Sequence, residues 1–143
     1  MGVRVAGVLE RSKQVLLVEH RKNGRSYWLL PGGRIDVGER AAEALSRELE
    51  EELRLQVRVG ELLFLVETRT PESERFIQPT FRIETDLVDA IAVGRDPRVV
   101  GYRFFDSERL RKAVLYPDIG DELACFLENG EFPGRYLYKP WID

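Results

Sequence analysis

Residues 40–53, RAAEALSRELEEEL, are built almost entirely from strong helix formers, and Ala42, Leu45, Leu49 and Leu53 recur at the spacing of one helical face. A helix with a single apolar stripe is stable only when that stripe is buried against another element. The flanking sequence offers sheets. Val3 to Leu9 and Gln14 to Glu19 are β-rich runs around the polar turn Arg11-Ser12-Lys13, a hairpin signal, and Asn23-Gly24 marks a second turn. Tyr27 to Leu30 reads as a short strand ended by Pro31-Gly32-Gly33. Past the helix, strands are predicted over Val57 to Glu67 with Gly60 as a bulge or bend, over Arg75 to Thr85 with Pro79 at an edge or bulge, and over Val99 to Phe105. Ser107 is a candidate N-cap for a helix through Lys112, and Pro117 to Glu128 reads as a final amphipathic helix stopped by Asn129-Gly130.

Strands with one mid-chain and one terminal helix predict an α/β (α+β) domain with helices layered on sheets. The 143 residues suit one domain, 1–143, and a 43% hydrophobic content suffices for a core.

Charge and rare residues exclude several classes. The net charge of −3 gives no support for bulk nucleic-acid binding, though a local nucleotide site stays compatible with it. The single cysteine, Cys125, precludes an intramolecular disulfide or a cysteine-rich zinc site, and the single histidine, His20, cannot form a histidine metal cluster. The first residues lack a signal-peptide pattern and no run is long enough to span a bilayer, so a cytoplasmic protein without membrane partners is expected.

The chemistry concentrates in Arg47 to Leu53. With about 100° per residue, Glu48, Glu51 and Glu52 share one helical face beside the leucines, whereas Glu50 points away. Glu43 and Arg47, four residues apart, can pair. Like charges at this spacing repel, and a hard divalent cation such as Mg²⁺ relieves the repulsion while also binding phosphates. Upstream, Gly32-Gly33 permits close backbone approach, with carbonyls able to ligate a metal and N–H groups able to meet a phosphate. A solvated acidic helix face is the alternative for the glutamates alone.

Gly33, Glu39 and Arg47-Glu48-Leu49-Glu50-Glu51-Glu52-Leu53-Arg54-Leu55 together resemble the Nudix box, G-x5-E-x7-R-E-U-x-E-E-x-G-U with U aliphatic, over 23 residues. Trp28-Leu29-Leu30-Pro31-Gly32 is similar to the usual lead-in. One position departs: Arg54 stands where the family has glycine, so the helix either ends differently or carries left-handed strain. The resemblance implies an α/β/α sandwich around a mixed β-sheet with a loop–helix–loop catalytic motif. It implies a hydrolase of phosphorus-containing acid anhydrides that cleaves a nucleoside diphosphate linked to another moiety, with Mg²⁺ or Mn²⁺. By motif position, Glu48, Glu51, Glu52 and the Gly32 carbonyl would be metal ligands, Glu48 would also be able to activate water, Arg47 would orient the carboxylates and Glu39 would support the loop. Glu84, Asp86 and Asp89 are candidates for a base outside the box, and Arg34 and Gly33 for substrate phosphate contacts.

Pro71, sixteen residues beyond Leu55, is similar to a feature of the ADP-ribose-cleaving subgroup and tilts the substrate expectation that way, although a hairpin-loop proline explains it as well. Nucleoside triphosphates, oxidised or not, and dinucleoside polyphosphates are the alternatives, and a nucleotide-sensing module without catalysis is the alternative of another class. Tyr27, Phe76 and Tyr102 are candidate base-stacking residues. The aromatic stretch from Tyr136 to Trp141 either covers its own domain or meets a second subunit in a homodimer.

Overall fold

The computed structural model describes residues 2–69 and 74–140. In chain order the elements are β1 (Gly2–Val8), β2 (Glu10–Arg11), β3 (Gln14–Lys22), β4 (Arg25–Leu29), β5 (Gly32–Arg34), α1 (Ala41–Leu53), β6 (Arg58–Arg69), β7 (Arg75–Glu84), β8 (Val99–Phe105), α2 (Ser107–Lys112), α3 (Gly120–Asn129) and β9 (Tyr136–Pro140), with a 3₁₀ turn at Val88–Ala90. One mixed sheet runs β5-β1-β7-β6-β9; β1 is antiparallel to β5 and parallel to β7, and β6 is antiparallel to β7 and parallel to β9. In the second sheet β3 pairs antiparallel with β2, β4 and β8.

Strand alternation sorts the core into two halves. Val5, Leu16 and Val18 pack with Ala44, Leu45, Leu49 and Leu53 of α1. Ala6, Val8, Val15 and Leu17 pack with Leu110 of α2 and Leu123, Ala124, Phe126 and Leu127 of α3. Helices thus cover both faces, the predicted α/β/α arrangement.

Several boundaries differ from the sequence reading for local reasons. The hairpin partner of β3 is only Glu10–Arg11, because β1 departs to the other sheet. Its turn residues Ser12 and Lys13 both have positive φ, as does the Asn23-Gly24 pair that joins β3 to β4. Ala44, not Ala42, joins the leucines in the core. Pro79 lies inside the sheet rather than at its edge: the β1–β7 ladder passes from Val3–Ile77 to Ala6–Thr80, and the residue without an N–H falls in that gap. Gly60 does sit at a register shift between β6 and β7. Asp106 rather than Ser107 caps α2, its carboxylate accepting from the Arg109 N–H at 2.9 Å. Pro117 precedes α3, which starts at Gly120. Tyr136–Pro140 forms the edge strand of the five-stranded sheet, and Trp141, the end of the aromatic stretch, lies outside the described residues.

Arg54 resolves the departure from the box. It adopts φ 53°, ψ 34°, the left-handed conformation, and its N–H donates to the Glu50 carbonyl at 2.9 Å while Leu55 N–H reaches Leu49 O at 3.3 Å. The helix ends as a glycine would end it, with a non-glycine residue carrying a strain of about 1 kcal/mol. Arg54→Gly is expected to raise the melting temperature by roughly 3 °C in a thermal denaturation scan. A lower melting temperature would mean that the side chain contributes more than the strain costs.

Candidate active site

The buried arc of α1 is not purely apolar. Glu48 and Glu52 lie between Ala44 and the leucines, and they are 6% and 0% exposed. They face β5, which reaches them because it carries two glycines. A Cβ on Gly32 would sit 2.0 Å from the Val5 carbonyl oxygen, and one on Gly33 would sit 2.3 Å from the Glu48 carboxyl carbon. The Gly32 N–H donates to Glu52 Oε1 at 2.8 Å. This bond commits the Gly32 N–H to Glu52 rather than to a phosphate.

Arg47 organises the rim. Its guanidinium donates to both Glu39 oxygens at 2.8 and 3.0 Å, to Glu48 Oε1 at 3.0 Å, to Glu51 Oε2 at 3.3 Å and to the Arg34 carbonyl at 3.0 Å. Glu39 also accepts the Asp36 N–H at 2.9 Å, so it ties the loop before α1 to the helix. The expected Glu43–Arg47 pair does not form: Glu43 accepts from the Arg40 backbone and side chain, both at 3.1 Å, and Arg47 turns inward.

The electrostatics follow from this packing. Hydrogen bonds from Arg47 hold the Glu39 carboxyl below its ordinary range, and the Glu39 bonds in turn raise the Arg47 guanidinium. The Glu48 carboxyl is pushed above its ordinary range, first by burial and then by the neighbouring Glu52, against the opposing pull of Arg47. Glu48 Oε2 and Glu52 Oε2 are buried without a hydrogen-bond partner among the described residues. His20 Nε2, also buried and without a hydrogen bond, lies 3.6 Å from Glu52 Oε2.

Among the described residues no three His, Cys, Asp or Glu side chains converge closely enough to enclose a metal as they stand. Arg47 spans Glu48 and Glu51, supplying positive charge between them. The donor set nonetheless fits a hard cation. Two buried carboxylate oxygens lack partners, a third carboxylate is half-buried beside them, and all are oxygen ligands of the kind Mg²⁺ takes. Glu48, Glu51 and Glu52 are the residues that could hold it.

A cavity of about 270 Å³ opens beside Glu48. Gly32, Gly33, Arg34 and Glu48 border it on one side, and Tyr27, Phe76 and Tyr116 supply aromatic walls. Arg34 lies over the Phe76 ring, 5.8 Å from its centroid. Two of the three stacking candidates are therefore brought to the site. Tyr102 is not: its hydroxyl donates to the Ile91 carbonyl at 3.0 Å. Glu84, Asp86 and Asp89 are not either. They line a separate cleft, where Glu84 and Asp86 face Arg58 and Asp89 faces Arg11. A larger concavity of about 570 Å³ beside Phe126 and Phe132 holds none of the α1 carboxylates.

Sequence reasoning missed Arg4, His20, Thr68, Gln78, Arg98 and Tyr116, all of which line the cavity. Arg4 had one available signal, a charge interrupting an otherwise apolar strand. Arg98 had none: it is aimed by Asp96, which binds it at 2.9 and 3.2 Å and whose carboxyl is held below its ordinary range by those bonds.

Comparisons with known proteins agree with this geometry. A family model described as "NUDIX domain" matches residues 1–127. The chain is 25% identical over 133 residues to the phosphatase NudJ of Shigella boydii serotype 4, covering 92% of this chain and 86% of the relative. Among solved structures, a NUDIX hydrolase from Nitrosomonas europaea superposes with a TM-score of 0.76 at 20% identity, covering 92% of this chain and 90% of that one. An ADP-ribose pyrophosphatase from Streptococcus suis does so with a TM-score of 0.66 at 19% identity, over 96% and 98% of the two chains.

Proposed function

We propose, from the premise that this chain belongs to the Nudix hydrolase family, that it is a divalent-metal-dependent pyrophosphohydrolase cleaving a nucleoside diphosphate linked to another moiety, of the nucleotide-sugar kind that includes ADP-ribose. The observation that carries this reading is the pair of buried oxygens without a partner among the described residues, Glu48 Oε2 and Glu52 Oε2, the first of them on a residue that lines a cavity with aromatic walls. The relatives called a phosphatase and an ADP-ribose pyrophosphatase are in keeping with it. Pro71, which favoured ADP-ribose on spacing, lies outside the described residues. We read residues 1–143 as one domain, because β9 beyond the family match joins the five-stranded sheet. Among the described residues no helix is long and apolar enough to cross a membrane, and the reading places the protein in the cytoplasm with nucleotides as its partners.

Bound Mg²⁺ or Mn²⁺ would neutralise the diphosphate and acidify an attacking water. Glu48, Glu51 and Glu52 would hold the ion, with the Gly32 carbonyl as a further ligand by motif position. Arg47 keeps Glu48 and Glu51 oriented through charge-assisted bonds. By motif position Glu48 would also be able to activate the attacking water. Arg34 and Arg98 border the cavity and add positive potential for the phosphates. Gly33 contributes by having no side chain, which leaves Glu48 at the cavity edge.

The test is product release with Mg²⁺ or Mn²⁺ across nucleotide sugars, nucleoside triphosphates and dinucleoside polyphosphates. Turnover of the first group is expected to be fastest, and no turnover of any of them would refute the reading. Mg²⁺ is also expected to raise the melting temperature by several degrees once it is well above its Kd, since it binds only the folded carboxylate cluster. An unchanged melting temperature at millimolar Mg²⁺ would remove the metal from the proposal.

A further inference from the structure

We propose that Gln78, oriented by Arg4, and its neighbour Thr68 form a subsite that selects nucleotides by a carbonyl oxygen on the base, favouring uracil over cytosine and hypoxanthine or guanine over adenine. This rests on the nucleotide reading above and specifies its base.

A guanidinium can only donate. Arg4 Nη1 donates to Gln78 Oε1 at 2.8 Å and its Nη2 to the Leu30 carbonyl at 3.0 Å. Turning the Gln78 amide over would set N–H against N–H, so Arg4 fixes Oε1 against its own guanidinium. The other end, Nε2, is a donor that is buried and has no hydrogen-bond partner among the described residues. Val66 of β6 pairs with Gln78 of β7, and Thr68 lies two residues further along β6, so Gln78 and Thr68 rise from the same face of the sheet. Thr68 Oγ1 is likewise buried and unpartnered among the described residues. Both residues are 2% exposed, and both line the cavity walled by Tyr27, Phe76 and Tyr116.

Flat walls suit a planar ring. A buried donor without an acceptor is costly, and a ligand that supplies the acceptor recovers that cost, whereas one presenting an amino group there does not. Adenine and hypoxanthine differ at this edge by an amino group and a bare ring nitrogen against a carbonyl and a ring N–H, and so do cytosine and uracil, so the Gln78 donor discriminates at the exocyclic position. The subsite therefore keeps the nucleotide-sugar class and moves its base away from the adenine of ADP-ribose.

The experiment measures binding of matched nucleoside monophosphates by calorimetry: inosine against adenosine monophosphate, and uridine against cytidine monophosphate. The carbonyl member of each pair is expected to bind at least about tenfold tighter. Gln78→Glu exchanges the donor for acceptors while keeping a partner for Arg4, and it is expected to erase or reverse both preferences. Thr68→Val, close in shape, is expected to weaken binding of both members of each pair, because a hydroxyl either donates or accepts. Equal binding within both pairs, binding of neither member, or a preference that survives Gln78→Glu would overturn the subsite. Monophosphates have no bridge to cleave, so the outcome is independent of turnover. A chain that shows the preference and hydrolyses nothing refutes the pyrophosphohydrolase reading alone; one that turns over nucleotide sugars without base preference refutes the subsite alone.

Discussion

Glu48→Gln is expected to lower turnover by at least about 10²-fold, a loss matching or exceeding that caused by removing an outer partner of a metal ligand, while the metal-free protein melts at or above the wild-type temperature. The two effects separate because the side chain serves two opposed ends. Its charge is what a cation requires, yet in the folded chain that charge is buried beside Glu52. Glutamine keeps the shape, and its carbonyl oxygen still accepts from Arg47. The pH dependence has a definite sign. The Glu48 carboxyl lies above its ordinary range in the folded state, so the folded chain binds that proton more tightly than the unfolded chain does. The ionised group therefore costs stability at neutral pH, and this cost fades as pH falls through the raised value. Measured in chelator, the melting-temperature advantage of Glu48→Gln should be widest near neutrality and should close as the medium is acidified into the carboxylate range. A gap that widens in acid would show that the native carboxylate is stabilising. Glu51→Gln and Glu52→Gln are expected to lose most turnover with the fold intact, and unchanged turnover in both would place the chemistry elsewhere.

Gly32→Ala is expected to destabilise the fold by at least about 3 kcal/mol, the upper part of the range for overpacking, and to lower the melting temperature by roughly 10 °C. The new Cβ would lie 2.0 Å from the Val5 carbonyl oxygen and 2.8 Å from the Ala6 Cα. Both are backbone atoms of a buried strand, so relief requires β5 to leave β1. That movement also breaks the Gly32 N–H bond to Glu52, which leaves a fully buried carboxylate with neither oxygen satisfied. Gly33→Ala tests the neighbouring position with a different outcome. Its Cβ meets the Glu48 carboxyl group, a side-chain end that can swing away, so turnover should fall steeply with a smaller loss of stability. Denaturant titration and steady-state kinetics on the two variants distinguish these patterns. Equal stability losses would mean that β5 moves as one piece and that the two glycines have a single role.

Much of the architecture was readable along the chain because it depends on near neighbours. The extent of α1 follows from a run of helix formers, and the turn at Asn23-Gly24 follows from residues that tolerate positive φ. The grouping of Glu48, Glu51 and Glu52 follows from helical spacing. What spacing could not convey is burial. The glutamates read as a face beside the apolar stripe, whereas Glu48 and Glu52 lie within the arc that contacts β5, which fits only because glycines stand opposite them. Asp86 and Asp89 illustrate the converse. They suit a role as base by residue type, and the chain carries them to another cleft.

The sequence by itself determined the family, the helix and its carboxylates, since these reside in fixed spacing on one continuous segment. Tertiary structure alone decided what surrounds them. Arg4, Thr68 and Gln78 come from three strands, and Arg98 and Tyr116 from segments far along the chain. They meet at one cavity because β1, β7 and β6 are neighbours in the sheet although not in the sequence. Pairing between distant strands is set by how two core layers close together. No local periodicity records which side chains that closure leaves buried, oriented and without a partner.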